Sequence, residues 1–412
     1  MNAPCAGRVS SHNAKRAAHT AASSDDQEEN LLLRMDELIG AGAFGTVYRM
    51  DLLAPVERTV AVKRINHDQQ NYDRQISLHR RLEHDCIVTL MFYYPNLIEN
   101  EIYWDLVLEY MPTSAYEHCR RLCAANEQLD RHTIKMWLCQ LYAALTYLHS
   151  LSICHRDVKP ENLLINSETG QLKLGDFGSA KLLAQGARNS SYQVTRYYRA
   201  PELLVGNTHY GCTVDVWASG CIIYELYTGM VLWQGRSSAE QLNLIARTLG
   251  TPSDAQLKDL MQASTSTAAS ASSSPVSSPR KSGGDKNNRT NSNSTQKDQE
   301  NNSNNNNNNN NNNSNNNIIN KQNNIEKLIK QPKSKVAFET GLPAVPWSEK
   351  LSNVCEHECV QLIGGILQYS PGQRFSAEQC LRHVYFHSTV EHHNQTLRLR
   401  LKDDTYVMLF AT

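Results

Sequence analysis

The run His155-Arg156-Asp157-Val158-Lys159-Pro160-Glu161-Asn162 sets a carboxylate, an ammonium and an amide close together, and Asp176-Phe177-Gly178 adds a second carboxylate nineteen positions after Asp157. These residue types suit transfer of a phosphoryl group. That chemistry needs an acceptor for a hydroxyl proton, oxygen ligands for a divalent cation and positive charge against the phosphates. Asp157 is the candidate proton acceptor, and Lys159 is the candidate cation beside the moving phosphoryl group. Asn162 and Asp176 are candidate ligands for Mg2+, which prefers hard oxygen donors.

Upstream, Gly40-Ala41-Gly42-Ala43-Phe44-Gly45-Thr46-Val47 fits the pattern G-x-G-x-x-G-x-V. Glycines alone are a weak signal, because they also serve ordinary turns. Here strand-like sequence lies on both sides, and Lys63 follows on Val60-Ala61-Val62-Lys63. A dinucleotide site would need a helix directly after the glycines. Strand, loop and strand instead favour a flap whose backbone amides could approach phosphates, and Lys63 would be the cation that contacts the α- and β-phosphates.

Positioning these groups takes two kinds of element. Thr46–Met50 and Val60–Lys63 alternate as strands do, and further strand-like runs cover 87–94 and 102–110. Residues 68–83 read as a helix with Ile76, Leu78 and Leu82 as its apolar positions. From about 116 the period changes. Ile134, Leu138, Leu141, Leu145 and Leu148 form one stripe on a helix ending near His149, which is ordinary core packing. The fold class expected is α+β: a small β-rich N-terminal lobe over 31–111 and a large helical C-terminal lobe over 112–392, with a cleft between them.

Residues 1–30 are polar and lack periodicity, and are expected to be a disordered tail; 393–412 read as a C-terminal tail. A low-complexity insertion over 263–335 interrupts the helical lobe, with Ser/Thr/Ala tracts and then Asn301 to Asn320 almost pure in asparagine. Such a segment buries no apolar surface to offset its ordering entropy.

Composition narrows the class further. The chain has 412 residues, 40% hydrophobic, and a formal net charge of zero, so no global field points to nucleic acid or membrane. No apolar run approaches membrane-span length, and Met1-Asn2-Ala3-Pro4-Cys5 opens no signal-peptide core. A cytoplasmic protein is expected, with access to the nucleus left open. The 11 cysteines are odd in number and scattered, and read as thiols; Cys355 and Cys359 share a helix face with His357 directed elsewhere.

Taken together, the chain resembles a eukaryotic serine/threonine protein kinase of the glycogen synthase kinase-3 type, in the CMGC group, as a divergent member. The resemblance covers about residues 35–262 and 336–390. It rests on Val60-Ala61-Val62-Lys63, Cys154-His155-Arg156-Asp157, Asp176-Phe177-Gly178-Ser179-Ala180-Lys181 and Tyr197-Tyr198-Arg199-Ala200-Pro201-Glu202. Asp215-Val216-Trp217-Ala218-Ser219-Gly220-Cys221 and Leu249-Gly250-Thr251-Pro252 extend it. It implies the two-lobed kinase fold, ATP and Mg2+ as cofactors, and protein substrates phosphorylated on Ser or Thr. Ile39, Gly40, Gly42, Gly45, Val47, Ala61, Lys63, Leu108, Glu109, Met111, Asn162 and Asp176 would line the nucleotide site, with Leu108 as gatekeeper and Glu109, Tyr110 and Met111 as the adenine-binding hinge. Glu202 would pair with Arg374. The family prefers substrates carrying a phosphate four residues downstream, and Arg74, Arg156 and Lys181 would grip that priming phosphate. Tyr192 would be the activation-loop tyrosine, ordered by its own phosphorylation.

Two departures matter. The helix after Lys63 should offer a Glu to that lysine, and the matching position is Gln75. An amide in place of a carboxylate forfeits on the order of 1 kcal/mol, up to about tenfold in rate if all of it falls on the barrier. A weakened enzyme is expected, and the alternative is a low-activity pseudokinase or scaffold. The asparagine-rich insertion falls where related kinases carry part of a docking surface, so binding of scaffold proteins is not assumed.

Overall fold

The computed structural model describes residues 7–17, 28–42, 45–66, 72–184, 188–191, 195–261, 338–351, 353–389, 398–400 and 406–408. All belong to one compact unit, Met1–Ser266 with Ala337–Thr412. The insertion over 263–335 and Tyr192 lie outside the described residues.

Strands dominate the N-terminal part. β1 (Val9–Arg16), β2 (Glu28–Gly42), β3 (Gly45–Ala54), β4 (Arg58–Asn66), β5 (Leu90–Ile98) and β6 (Glu101–Glu109) close into an antiparallel barrel in the order β1-β2-β3-β4-β6-β5. Alternation along each strand divides the side chains between two faces. Leu31, Leu33, Leu52, Val60, Val62 and Val107 fill the barrel interior at 1% exposure or less. The outer face of β4, β5 and β6 presents Ile65, Leu90, Tyr93 and Leu106, and helix α1 (Tyr72–His79) packs Ile76 against them.

Within the expected disordered tail over 1–30, β1 and the start of β2 are ordered strands, and residues 1–6 and 18–27 lie outside the described residues. β1 pairs with β2 from Val9↔Arg34 to Lys15↔Glu28, and with β5 at Lys15↔Tyr93 and Arg16↔Phe92, which closes the barrel. Its sequence, Val9-Ser10-Ser11-His12-Asn13-Ala14-Lys15-Arg16, has no apolar alternation to betray a strand. Ladder hydrogen bonds to two neighbours, the burial of Ala14 and the stacking of His12 on Tyr94 at 4.4 Å hold it instead.

Helices dominate the C-terminal part: α2 (Ala115–Ala124), α3 (Arg131–Ser150), α4 (Pro201–Leu204), α5 (Thr213–Thr228), α6 (Ser238–Leu249) and α7 (Asp254–Met261), then Trp347–Leu351, His357–Ile366 and Ala377–Leu381. α3 starts at Asp130, whose side chain accepts the Thr133 amide at 2.9 Å, a cap worth about 1 kcal/mol. Its stripe Ile134, Leu138, Leu141, Leu145 and Leu148 is buried to 1% or less. Arg374 joins Glu202 in a doubly hydrogen-bonded pair at 2.9 and 3.1 Å, with both side chains shut from solvent. Short strands interrupt the helices: β7 (Thr113–Ser114), β8 (Ile153–Cys154), β9 (Leu163–Asn166), β10 (Gln171–Leu174) and β11 (Lys181–Leu182). They are too short to show a period in the sequence, yet they flank the segments that carry Asp157, Lys159, Asn162 and Asp176. Among the described residues, no helix is long and apolar enough to cross a membrane.

Candidate active site

The segment between β8 and β9 is held from below by Asp215 of α5. Its carboxylate accepts the backbone amides of His155 at 2.9 Å and Arg156 at 2.8 Å, and faces His149 Nε2 at 3.0 Å. Burial opposes ionisation of Asp215, but these donors outweigh it and keep the carboxyl below its usual range. His155 reaches the Gly175 carbonyl at 2.9 Å, and its ring meets Phe177 edge-on at 5.1 Å. The two loops are thereby locked to each other. Arg156 and Asp176 both adopt left-handed backbone, φ 64° and 54°, strain of a kind that collects at functional sites.

Asp157 stands in a ring of donors. Lys159 Nζ lies 3.0 Å from Oδ2, and Asn162 Nδ2 donates to Oδ2 at 3.2 Å and to the Asp157 carbonyl at 2.7 Å. Thr195 donates its hydroxyl to Oδ1 at 3.1 Å and its amide at 3.3 Å, and accepts from Lys159 at 3.2 Å. The three residues read from the sequence as catalytic therefore meet, and Thr195 joins them. Sequence reasoning passed over Thr195, thirty-eight positions from Asp157; its proximity to Ala200-Pro201-Glu202 was the signal available.

Lys63 projects from β4 and is buried. Its ammonium binds Asp176 Oδ1 at 2.8 Å, whereas Gln75 Oε1 stands at 3.5 Å. Asp176, distant in the chain, supplies the carboxylate. Burial pushes the Asp176 pKa up, but Lys63 and the Gly178 amide pull it below the ordinary carboxylate value.

The remaining residues expected to line a nucleotide site lie on neighbouring strands of the barrel. Gly42 pairs with Gly45, Gly40 with Val47, Val47 with Lys63, and Ala61 with Leu108. The glycine-rich segment is thus the β2–β3 hairpin with Ile39 and Gly40 at its base. Gly45 has φ 121°, and a Cβ there would collide with the Arg64 carbonyl, so glycine is required. Met111 is buried just beyond β6. Glu109 turns its carboxylate to Lys173 Nζ at 2.8 Å, and its backbone amide donates to the Thr89 carbonyl at 3.0 Å.

Oxygen donors suited to Mg2+ are present. Asn162 uses its amide nitrogen toward Asp157, and Asp176 uses Oδ1 toward Lys63 and Gly178. Asn162 Oδ1 and Asp176 Oδ2 are then without a protein hydrogen bond among the described residues, a hard donor set that fits the ion.

A separate group of cations lies beside this centre. Arg74 Nη2 donates to the Gly178 carbonyl at 3.3 Å; Arg156 donates to Ser179 O at 2.7 Å and Tyr210 Oη at 3.2 Å; Lys181 donates to Asn189 Oδ1 at 2.6 Å. All these partners are neutral oxygens. Burial and the charge of Arg156 lower the Arg74 pKa, and burial with Arg156 and Arg74 lowers that of Lys181. The three positive groups share one field, and Arg74 Nε is buried without a partner among the described residues. Such a cluster suits a phosphate dianion.

The family model of the protein kinase domain matches residues 33–386.

Proposed function

The chain belongs to the protein kinase family, and from that premise we propose that it is an ATP- and Mg2+-dependent serine/threonine kinase of the glycogen synthase kinase-3 type, acting on protein substrates that already carry a phosphate four residues downstream. The observation that carries this reading is the Asp157 ring, in which one carboxylate is flanked by an ammonium, an amide and a threonine hydroxyl. Asp157 accepts the proton of the substrate hydroxyl. Lys159, 3.0 Å away, offsets negative charge on the phosphoryl group in flight. Asn162 holds Asp157 in place by its amide nitrogen, and Thr195 fixes both Asp157 and Lys159. Asn162 and Asp176 would hold Mg2+, which neutralises the phosphates of the bound nucleotide. Lys63 would bind those phosphates, and Arg74, Arg156 and Lys181 the priming phosphate.

The test is transfer of labelled phosphate from ATP to paired peptides with and without a downstream phosphoserine. Wild type should label the primed peptide preferentially, and Asp176→Ala should label neither. Equal incorporation by wild type and Asp176→Ala would leave the second reading, a scaffold with little catalysis, which the 3.5 Å contact of Gln75 favours.

A further inference from the structure

Among the described residues two lysines are buried, and the chemistry above uses only Lys63. The other is Lys173, on β10, three residues before Asp176. Its ammonium meets Glu109 Oε2, at the end of β6, at 2.8 Å across 64 positions of chain. The two side chains are 9% and 27% exposed. The same oxygen accepts the Thr89 amide at 3.4 Å, and the Glu109 amide donates to the Thr89 carbonyl at 3.0 Å. β10 is bonded to that stretch of chain as well: the Leu174 amide donates to the Cys86 carbonyl at 2.8 Å, and the Leu174 carbonyl accepts from Val88 at 3.0 Å. Beyond Lys173, Leu174 pairs with Leu163, the residue after Asn162, and the Gly175 amide donates to the Asn162 carbonyl at 2.9 Å. One ion pair thus joins the strand that leads into 109–111 to the β9–β10 hairpin, which both candidate metal ligands flank.

Stability does not account for the pair. Taking an ammonium and a carboxylate out of water costs about as much as their attraction returns, and apolar side chains of similar volume often serve as well. What an apolar pair lacks is direction. A charge-assisted hydrogen bond fixes the distance between the groups that make it.

We propose that Glu109 and Lys173 form a strut that fixes the spacing between the 109–111 edge and the Asn162–Asp176 pair, which makes Lys173 a positioning residue for the nucleotide. This rests on the nucleotide site proposed above, with adenine at 109–111 and the phosphates and Mg2+ at the other end. A ligand gripped at two ends binds more tightly when its two sites stand at a fixed, matching distance, because the second contact then needs no further ordering. Releasing the strut leaves each end intact and loosens the distance between them. The loss falls on ligands that reach both ends and spares those that reach one. Lys173 acts through Glu109 and through β10, not by touching the nucleotide.

The experiment is isothermal titration calorimetry on the full chain with two probes, adenosine and MgADP. Adenosine reaches the 109–111 end alone, whereas MgADP spans to the metal ligands. Lys173→Met should weaken MgADP about tenfold, the scale of freeing one immobilised group, and leave adenosine within about twofold of wild type. Lys173→Arg keeps the charge and the reach to Glu109, and should bind MgADP as wild type does. Glu109→Gln breaks the pair from its more exposed side and should reproduce the Lys173→Met pattern, which decides the matter if Lys173→Met does not fold. In peptide phosphorylation the KM for ATP should rise about tenfold with kcat within about twofold, since the Asp157 ring is untouched. Unchanged MgADP affinity in both Lys173→Met and Glu109→Gln overturns the strut. Equal losses for adenosine and MgADP also overturn it, because Lys173 would then shape the 109–111 edge alone. Wild type that binds neither probe refutes the nucleotide site proposed above, and the strut with it; wild type that binds both, with variants that bind equally well, refutes the strut alone.

Discussion

Replacing Gln75 by glutamate puts a carboxylate where the structure holds an amide oxygen 3.5 Å from Lys63 Nζ, in a side chain 3% exposed. At that distance the amide is at the outer limit of a hydrogen bond and contributes about 0.5 kcal/mol. A carboxylate drawn onto the ammonium would contribute about 1.5–3 kcal/mol, less the cost of burying its charge. A net gain of about 1 kcal/mol corresponds to about fivefold in rate if it appears wholly in the transition state. There is a second effect. Lys63 is now bound to Asp176 Oδ1 at 2.8 Å, and a closer partner on α1 would release that oxygen for a cation. Gln75→Glu should therefore raise kcat/KM on a primed peptide about fivefold and lower the Mg2+ concentration for half-maximal activity. Steady-state transfer at varied Mg2+ reads both. Gln75→Leu, which removes the amide without adding charge, should change turnover by less than about twofold, because so long a contact carries little energy. If Gln75→Glu is no faster than wild type, Lys63 does not gain from a carboxylate on α1 and the reasoning fails.

Three further outcomes are expected. Asp157→Asn keeps the shape of the donor ring but removes the proton acceptor, so kcat should fall by about a hundredfold or more with the melting temperature unchanged; a loss under about tenfold would assign the proton elsewhere. Thr195→Val removes the hydroxyl that bridges Asp157 and Lys159 at 3.1 and 3.2 Å, and should cut kcat about tenfold with KM for ATP unchanged; an effect on KM alone would place Thr195 in binding. Burial raises the Glu225 pKa from 4.5 to about 7, with Glu161 adding to the effect and the Tyr198 hydroxyl opposing it. The stability that the neutral carboxyl contributes is complete below 4.5 and is lost as pH rises through about 7, because the folded state then binds the extra proton less and less. Glu225→Gln should match wild type in thermal melts at about pH 4 and exceed it at about pH 8 by on the order of 2–3 kcal/mol; a difference independent of pH would refute the assignment.

The candidate catalytic groups were legible because they are written locally. Asp157, Lys159 and Asn162 lie within one short loop, and the glycines of the β2–β3 turn need no distant context to be read. The absence of a glutamate at position 75 was legible for the same reason. The helical stripe of α3 showed itself because twenty residues give a period room to repeat. β1 did not, since ladder hydrogen bonds fix it and backbone groups are the same in every residue.

Contacts between distant segments were settled by the folded chain alone. Lys63 finds Asp176 across 113 positions, Thr195 closes on Asp157 across 38, and Asp215 ties the segment after β8 to α5 across 60. Residue types and short spacings determine which groups are available. Which group lies 2.8 Å from a given ammonium depends on how barrel and helices pack, and no local spacing encodes that packing.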